Sequence, residues 1–247
     1  MAKQNGLGAQ LFVSGYDLGD DIGSCNIASP LALHDVTPIT KLAMERIGGR
    51  RDGSMDVQAF FNPAAGRAHP RLSLLPSTDQ LMTLTLGNTL GLPAANLWNK
   101  QVNYDPTRAA DGMFTFASQA LGNGYGLEWA TQLTAGKRTD TTATNGASVD
   151  LGSASPGAFG AQFYLHVFAF TGTSVTVKIQ ESSDDGVGDP FADVVEGGFT
   201  AATGITYERI ATGLINVERY LRVVTVGTFS NAVLAVSGVR NPVSTVF

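Results

Sequence analysis

The sequence predicts a mainly β protein of the α+β class, and three features support this prediction. Of its 247 residues, 43% are hydrophobic, only 15% are charged and 29 are glycine, a composition that suits turn-rich β-structure better than long charged helices. Several runs alternate apolar and polar side chains with the period of two that is typical of strands. A segment with helical spacing lies among them, which favours a helix packed on strands.

The first half of the chain is predicted to contain short strands around one helix. Thr37 and Pro38 suit the N-cap and first position of a helix that would end at Gly48 and Gly49. The other elements follow from alternation and turn residues. Strands are predicted at residues 9–14, 25–28, 54–62, 80–86, 94–102, 113–121 and 125–131, and a short helix at residues 69–75.

Residues 159–186 are the most informative stretch of the second half. They contain two strand-like runs separated by Thr-Gly-Thr at 171–173, which predicts a β-hairpin. The second run alternates, whereas the first is apolar on both faces and should be covered on both sides, within a sandwich or by another subunit. A second hairpin is predicted over residues 218–237, around Val226 and Gly227.

The domain prediction rests on residues 135–157, which are rich in Thr, Ser, Gly and Ala and almost lack bulky apolar side chains. Such a stretch is predicted to be a connector or an exposed extended arm. The chain would then consist of a first module (1–134), this connector and a second β-module (158–247). The sequences MERI (44–47) and YERI (207–210) each precede a strand, which agrees with duplication but does not establish it.

Charge and cysteine content exclude several classes of protein. The formal net charge of −5 argues against a protein that grips nucleic acid through phosphate contacts, which need clustered Lys and Arg. A single cysteine, Cys25, excludes an intramolecular disulfide framework. No secretory leader or bilayer-spanning run is recognised, so a soluble protein made in a cytoplasm is expected.

No catalytic, cofactor or metal signature is recognised in the sequence. The three histidines, His34, His69 and His166, lack metal-ligand spacing, and His166 in its apolar strand is expected to be hydrogen-bonded by a neighbour or to lie at an interface. Cys25 has no base partner in sequence, so a small core residue is expected there. The acidic cluster at residues 181–189 lacks EF-hand spacing and is expected to be a solvated turn rather than a calcium site.

Two groups of residues are candidates for a subunit interface. Arg46, Arg50 and Arg51 form a basic turn that could pair with carboxylates of another subunit or be solvated, and solvation is the default for an exposed charged turn. Phe168 and Phe170 lie on the apolar outer face of the first run of the hairpin. A β-domain with such a face is a candidate for assembly.

Several segments resemble the tail tube (major tail) proteins of long-tailed, non-contractile bacteriophages, especially those of actinobacterial hosts. The first half carries LALHDVTPITKLAMERIGGRRDGSMDVQAFFNPAAGRAHP, QVNYDPTRAADG and GLEWATQLTAGKRT. The second half, with FYLHVFAFTGTSVTVKIQESSDDG, FTAATGITYERI and VERYLRVVTVGTFSNAVLAV, is similar to the C-terminal module of the same kind of protein. Together these segments cover most of the chain, and their motifs are structural rather than catalytic.

The resemblance implies tandem β-sandwich or β-barrel tube modules, the first with a short flanking helix, in a protein that is not an enzyme and needs no cofactor. Stacked homo-oligomeric rings would enclose a channel through which DNA passes without sequence-specific binding. The protein would be located in the virion tail and would meet tape-measure and tail terminator proteins. Rings of three chains with two tube modules each are preferred over rings of six.

Two other functions remain open from the sequence. A capsid decoration or head–tail joining protein would share such structural motifs. A carbohydrate-binding or adhesive β-sandwich would need Trp98 and Trp129 exposed on one concave face, whereas isolated tryptophans in strands are more often part of a core.

Overall fold

The structure is a computed structural model that describes residues 6–244, and its regular secondary structure consists almost entirely of antiparallel strands. The elements are β1 (Gln10–Val13), β2 (Tyr16–Asp17), a 3-10 turn (Gly19–Asp21), β3 (Ile22–Ala28), β4 (Leu31–Asp35), β5 (Arg46–Arg51), β6 (Ser54–Phe60), α1 (Ala68–Leu72), β7 (Gln80–Thr85), β8 (Pro93–Gln101), β9 (Asp105–Arg108), β10 (Phe114–Gly122), β11 (Glu128–Gln132), β12 (Arg138–Asp140), β13 (Thr144–Asp150), β14 (Ala161–Ser182), β15 (Ala192–Gly198), β16 (Thr206–Ala211) and β17 (Tyr220–Arg240). The prediction of a mainly β fold is confirmed. Among the described residues, no helix has the length and hydrophobicity needed to cross a bilayer.

The chain forms two compact units that are interleaved in sequence. The first contains the described residues up to Asp20, Leu81–Asn96 and those from Glu128 onward, and the second contains Asp21–Gln80 and Leu97–Leu127. This division differs from the predicted succession of residues 1–134 and 158–247, because the chain leaves the first unit twice to build the second. The assignment of two tube-type modules stays a prediction.

Two long antiparallel strands, β14 and β17, are the centre of the first unit. They pair along their whole length, from Ala161 opposite Arg240 to Ser182 opposite Tyr220. Further strands add to their edges: β15 and β16 pair with β14, while β11, β12 and β13 pair with β17. Strand β11 also pairs with β8, and β1 pairs with β2 and β7.

Both predicted hairpins are therefore wrong. The glycine-containing stretches that indicated turns lie inside β14 and β17, where the register shifts around Gly172. Gly172 and Gly227 have φ of +153° and +129°. A Cβ at Gly227 would lie 2.3 Å from the carbonyl oxygen of Ser174, and one at Gly172 would lie 2.4 Å from Cα of Phe229. The glycines thus allow the two strands to approach closely and bend together, instead of reversing the chain.

Burial along β14 matches the pattern of its sequence. From Phe163 to Val167 every side chain is buried, as predicted for a run that is apolar on both faces. From Val175 onward only alternate residues, including Val177 and Ile179, are buried. These residues belong to the hydrophobic core of the first unit, together with Leu221, Leu234 and other side chains of β17.

Residues 135–157 do not form a connector. They contain β12 and β13, whose residues pair with β17, for example Thr139 with Val233 and Val149 with Leu221. Val149 is buried in the core of the first unit. Small polar residues are compatible with edge strands, because the hydrogen bonds that hold them come from the backbone of a neighbour and not from their own side chains.

In the second unit, β6 is central to a sheet of β3, β6 and β10, and β10 also pairs with β9 and with the end of β8. One face is buried and includes Met55, Val57 and Phe116. Helix α1 overlaps the predicted range of residues 69–75, but it begins one residue earlier and ends three residues earlier. Asp21 accepts a hydrogen bond from the Ala68 backbone N–H at the beginning of α1, at 3.1 Å.

The helix predicted to begin at Thr37 is wrong. Residues 36–45 form a loop between β4 and β5, which pair with each other. Thr37 does not cap a helix: its hydroxyl donates to Asp35 Oδ1 at 2.6 Å and accepts from the Glu45 backbone N–H at 2.7 Å. These bonds bring the two ends of the loop together, and such local bonds between side chain and backbone compete with helix formation.

Candidate subunit interface

Residues 31–51 of the second unit form a hairpin that we call the arm. Its strands, β4 and β5, make a separate two-stranded sheet within the described chain. Large apolar side chains are exposed along it, and Ile39 and Leu42 in the loop are fully accessible, at 104% and 108%. The exposed apolar residues of the arm are Leu31, Leu33, Val36, Ile39, Leu42, Met44 and Ile47. An isolated two-stranded hairpin is at best marginally stable in water, so this surface is suited to packing against a partner.

Short polar contacts hold the loop of the arm in one conformation. The Val36 backbone N–H donates to the Glu45 carbonyl oxygen at 3.0 Å, and Lys41 pairs with the Glu45 carboxylate at 3.0 Å. Asp35 accepts from both the N–H and the hydroxyl of Thr37, and these bonds lower the pKa of the Asp35 carboxyl. The loop therefore presents Ile39 and Leu42 on an ordered backbone.

The three candidate arginines all lie on strand β5 of the arm and are exposed. Arg46 contacts Met44 Sδ at 2.9 Å, and Arg51 donates to the Leu127 carbonyl oxygen at 3.4 Å. No ion pair is found for Arg46, Arg50 or Arg51 within residues 6–244. Their charges are free to meet carboxylates outside the chain, and their place in an interface stays a prediction.

Phe168 and Phe170, the other two candidates, are half-buried at the middle of β14. The Phe168 ring packs against Phe12 of β1 with centroids 4.8 Å apart, and Phe170 lies 6.5 Å from Phe229. The outer apolar face of β14 is thus covered in part by other residues of the first unit. Only the remainder of these two rings is available to another subunit.

The second unit has a polar face on the side of its sheet opposite the core. A shallow groove of about 410 Å³ lies on this face. Strand pairing places two rows of side chains across it. The rows are Ser24, Gln58 and Ala117, and Asn26, Asp56 and Gln119. Gln119 Nε2 donates to Asp56 Oδ1 at 2.7 Å, and no residue that lines the groove is Lys or Arg.

His166 is fully buried in the first unit and is hydrogen-bonded on both ring nitrogens. The Gly15 backbone N–H donates to Nδ1 at 3.1 Å, so Nε2 carries the proton and donates to Thr83 Oγ1 at 2.9 Å. Thr83 donates in turn to Asn96 Oδ1 at 2.8 Å. Burial lowers the pKa of His166 to about 3, so the ring is a neutral link in a buried polar network.

The remaining residues that sequence analysis considered are separate from one another. His34 is exposed on β4, whereas His69 of α1 lies 2.7 Å from the Tyr104 hydroxyl. Burial and the charge of Asp56 raise the pKa of the Cys25 thiol to about 11. In the acidic turn, the Asp184 carboxylate accepts backbone N–H groups of residues 187–189. Within the described part of the chain, no three His, Cys, Asp or Glu residues are grouped as metal ligands.

Sequence analysis missed the apolar side chains of the arm. The spacing of Ile39 and Leu42 fits one turn of a helix, and apolar residues at that spacing normally indicate a buried face. Pro38 and the glycine pair at residues 48–49 suit helix boundaries, but they also suit a hairpin with a long loop. A signal that favours the hairpin is the run of residues 46–51, which has two glycines and too few apolar residues to continue a helical stripe.

Comparisons with known proteins do not establish a family. No family model and no curated protein matches the chain. Among solved structures, it is similar to a chain in the virion of a native gene transfer agent particle, at 15% identity and a TM-score of 0.43, over 51% of this chain and 98% of that one. A chain in the tail of an empty particle of this agent gives 18% identity and a TM-score of 0.42, over the same shares.

The SPP1 Dit protein, described as a hub adsorption apparatus of phages that infect Gram-positive bacteria, gives 13% identity over 94% of this chain and 99% of that one, with a TM-score of 0.35. Identities and TM-scores this low do not assign the chain a family or a function.

Proposed function

We propose that this chain is a structural protein of a phage tail, which self-assembles into stacked rings that form the tail tube and enclose a channel for DNA. The sequence resemblance suggests this class. The observation that carries the proposal is the arm, an ordered hairpin whose apolar side chains have no cover within the described chain. The alternative of a decoration or joining protein would also be structural, but it does not require every copy to engage a neighbour.

The exposed apolar area of the arm is large enough to support assembly. Full burial of an Ile or Leu side chain contributes about 1.5–3 kcal/mol, so Ile39 and Leu42 together contribute about 3–6 kcal/mol when a second copy covers them. Arg46 and Arg50 lie on β5 of the arm, with Arg46 directly after the loop, and can pair with carboxylates of that copy. Charged pairs of this kind fix the orientation of an interface more than they raise its affinity.

We propose that the polar face of the second unit lines the channel. Its side chains are small and polar, with one carboxylate and no cation among them. A wall that passes a polyanion should avoid cations, because each Lys or Arg that neutralises a phosphate adds to retention of the DNA. The formal net charge of −5 for the whole chain agrees with such a passage.

The proposed ring contains three chains, each of which provides two tube-type units, and a ring of six chains with one tube unit each is the alternative. Two compact β-units per chain are compatible with the first arrangement. A truncation near residue 155 would not distinguish the ring of three chains from the ring of six, because it removes β14 and β17, on which the first unit is built. Symmetry analysis of the assembled tube counts the chains directly.

Electron microscopy of the purified protein tests the proposal. Hollow tubes or stacked rings are expected, and they should persist with a calcium chelator, because the proposed assembly needs neither metal nor cofactor. The double variant Ile39→Ser/Leu42→Ser should raise the concentration needed for assembly by at least about 100-fold, since about 3 kcal/mol of burial is lost. Its monomer should melt at the wild-type temperature, because both side chains are fully exposed.

The matched control is Val187→Ser, which removes an apolar side chain that is 89% exposed and does not belong to the arm. This variant should assemble as the wild type does. A protein that stays monomeric at high concentration in every salt condition would contradict the proposed function. Unchanged assembly of the arm variant would contradict the role of the arm alone.

A further inference from the structure

A groove of about 300 Å³ lies at one end of the first unit, bordered by β11, residues 151–156 and the end of β17. Its lining combines an indole, hydroxyl groups, proline rings and one guanidinium. The residues that carry the argument are Trp129, Thr131, Ser153, Pro156, Arg240 and Pro242. Ligand sites in proteins start at about this volume, so the groove has room for a small ligand.

Trp129 is 50% exposed, although it lies on a strand inside the sheet of the first unit. Its indole N–H makes no hydrogen bond to any residue within 6–244. Trp129 and Arg240 both line the groove, where β11 pairs with β17 and Thr131 lies opposite Gly238. The ring is therefore a flat exposed platform beside a cation.

Arg240 is fixed by backbone carbonyl groups. Its guanidinium donates to the carbonyl oxygens of Ser153, Glu218 and Leu151, the last two at 3.2 and 3.3 Å. In the described part of the chain no carboxylate lies within ion-pair distance of it, and none lines the groove. The groove thus contains an oriented, half-buried positive charge that no carboxylate within residues 6–244 neutralises.

We propose that this groove binds an anionic saccharide, whose acidic group pairs with Arg240 and whose sugar ring stacks on Trp129. A guanidinium with a fixed orientation suits planar carboxylate or phosphate groups. An exposed indole offers an apolar face to the C–H groups of a sugar and a polar N–H to its hydroxyls. Thr131 and Ser153 add hydroxyl groups on the same lining. This site would operate in addition to assembly, and it does not depend on it.

The test uses the variant Trp98→Phe, which leaves Trp129 as the sole tryptophan, since the chain has only two. Trp98 donates to Asp79 and is not one of the residues that line the groove. Oligoglucuronate supplies a carboxylate probe, glucose 1-phosphate a phosphate probe, and maltooligosaccharide a neutral control. Each is titrated while Trp129 fluorescence is recorded.

We expect a saturable change of Trp129 fluorescence with an acidic probe, at least about tenfold tighter than with the neutral control and weaker as salt is raised. The ratio between oligoglucuronate and glucose 1-phosphate identifies the preferred acidic group. Equal binding of the neutral sugar, or no saturable binding of either acidic probe, would overturn the proposal.

Calorimetric titration of two further variants with the probes tests the roles of Trp129 and Arg240 in binding. Trp129→Ala should lose at least about tenfold in affinity for the acidic probe, and Arg240→Gln should lose the preference for acidic over neutral sugar. Because Arg240 also holds three carbonyl groups, thermal unfolding must show that its variant is folded. If the Arg240→Gln protein is unfolded, the salt dependence of probe binding to the wild-type protein tests the role of the positive charge instead. Inhibition of assembly by the acidic probe would identify the groove as a contact between subunits and would also overturn the proposal.

Discussion

Replacement of Gly227 by Ala should destabilise the first unit strongly. Gly227 lies inside β17 opposite Val175 of β14, with φ of +129°. A Cβ at this position would lie 2.3 Å from the Ser174 carbonyl oxygen and 3.3 Å from Cα of Val175. These atoms belong to the backbone of the paired strand, so they cannot move aside by a change of rotamer.

Two costs add at this position. A non-glycine residue at positive φ loses about 1–2 kcal/mol. Insertion of a methyl group into a packed region costs about 1–3 kcal/mol more. The sum of about 2–5 kcal/mol is a large share of the stability of an ordinary domain, about 5–15 kcal/mol.

Two control glycines in the first unit separate these costs. Gly152 has φ of +81°, and a Cβ there would meet nothing within 4 Å, so Gly152→Ala tests the backbone strain alone. Gly204 has open space and no positive φ, so Gly204→Ala should change the free energy of unfolding by no more than about 0.5 kcal/mol. Urea unfolding of the non-assembling Ile39→Ser/Leu42→Ser background measures all three variants without interference from polymerisation.

The expected order of destabilisation is Gly204, then Gly152, then Gly227, with the last two separated by at least about 1 kcal/mol. If the free energies of unfolding of Gly227→Ala and Gly152→Ala differ by less than about 0.5 kcal/mol, the close approach of β14 and β17 does not determine which residue is tolerated at position 227. The same experiment on Gly172, whose Cβ would lie 2.4 Å from Cα of Phe229, repeats the test on the facing strand.

Three further predictions concern single side chains. The folded-state pKa of His166 is lowered to about 3, below its unfolded value of about 6.5, so its contribution to stability is fully present above about pH 6.5 and is lost as the pH falls. Chemical unfolding should show about 2 kcal/mol less stability at pH 5 from this group, and this loss should be absent in His166→Gln and retained in His34→Gln. If the free energy of unfolding of His166→Gln falls with pH as steeply as that of the wild type, the prediction is refuted. The Cys25 thiol, with its pKa raised to about 11, should react with iodoacetamide at pH 8 about two orders of magnitude more slowly in the folded protein than in urea, and a difference below about tenfold would contradict this. For the channel wall, Gln58→Cys in a Cys25→Ser background should react in assembled tubes with a small maleimide but not with a maleimide coupled to a large protein, and in the unassembled protein it should react with both. Labelling of assembled tubes by the large reagent would place Gln58 outside the channel.

The sequence by itself determined the strands that have one buried face. Residues 54–60 and 175–180 alternate in sequence and in burial, and each lies in a strand of the structure. This succeeds because the period of two is a local property of an extended backbone beside a core. The apolar run from Phe163 to Phe170 also predicted burial on both faces from residue types alone; Phe163 to Val167 are buried, whereas residues 168–170 are half-buried.

For the candidate interface, the sequence located part of the surface. It indicated Arg46, Arg50 and Arg51 as exposed, and the structure places all three on the arm. It did not indicate Ile39 or Leu42, because apolar residues at helical spacing are normally assigned to a core. Whether such residues are buried depends on which other parts of the protein pack against them, and the local sequence does not contain this information.

Only the tertiary structure decided how the glycine-rich turn signals are used. Gly172 and Gly227 have the conformational freedom of turn residues, but β14 and β17 each continue past them as one strand. The partner of Ala161 is Arg240, at the far end of the described chain, and a window of local sequence contains only one side of such a pair. The strands within residues 135–157 also depend on a partner that is distant in sequence, since the hydrogen bonds that order β12 and β13 come from β17.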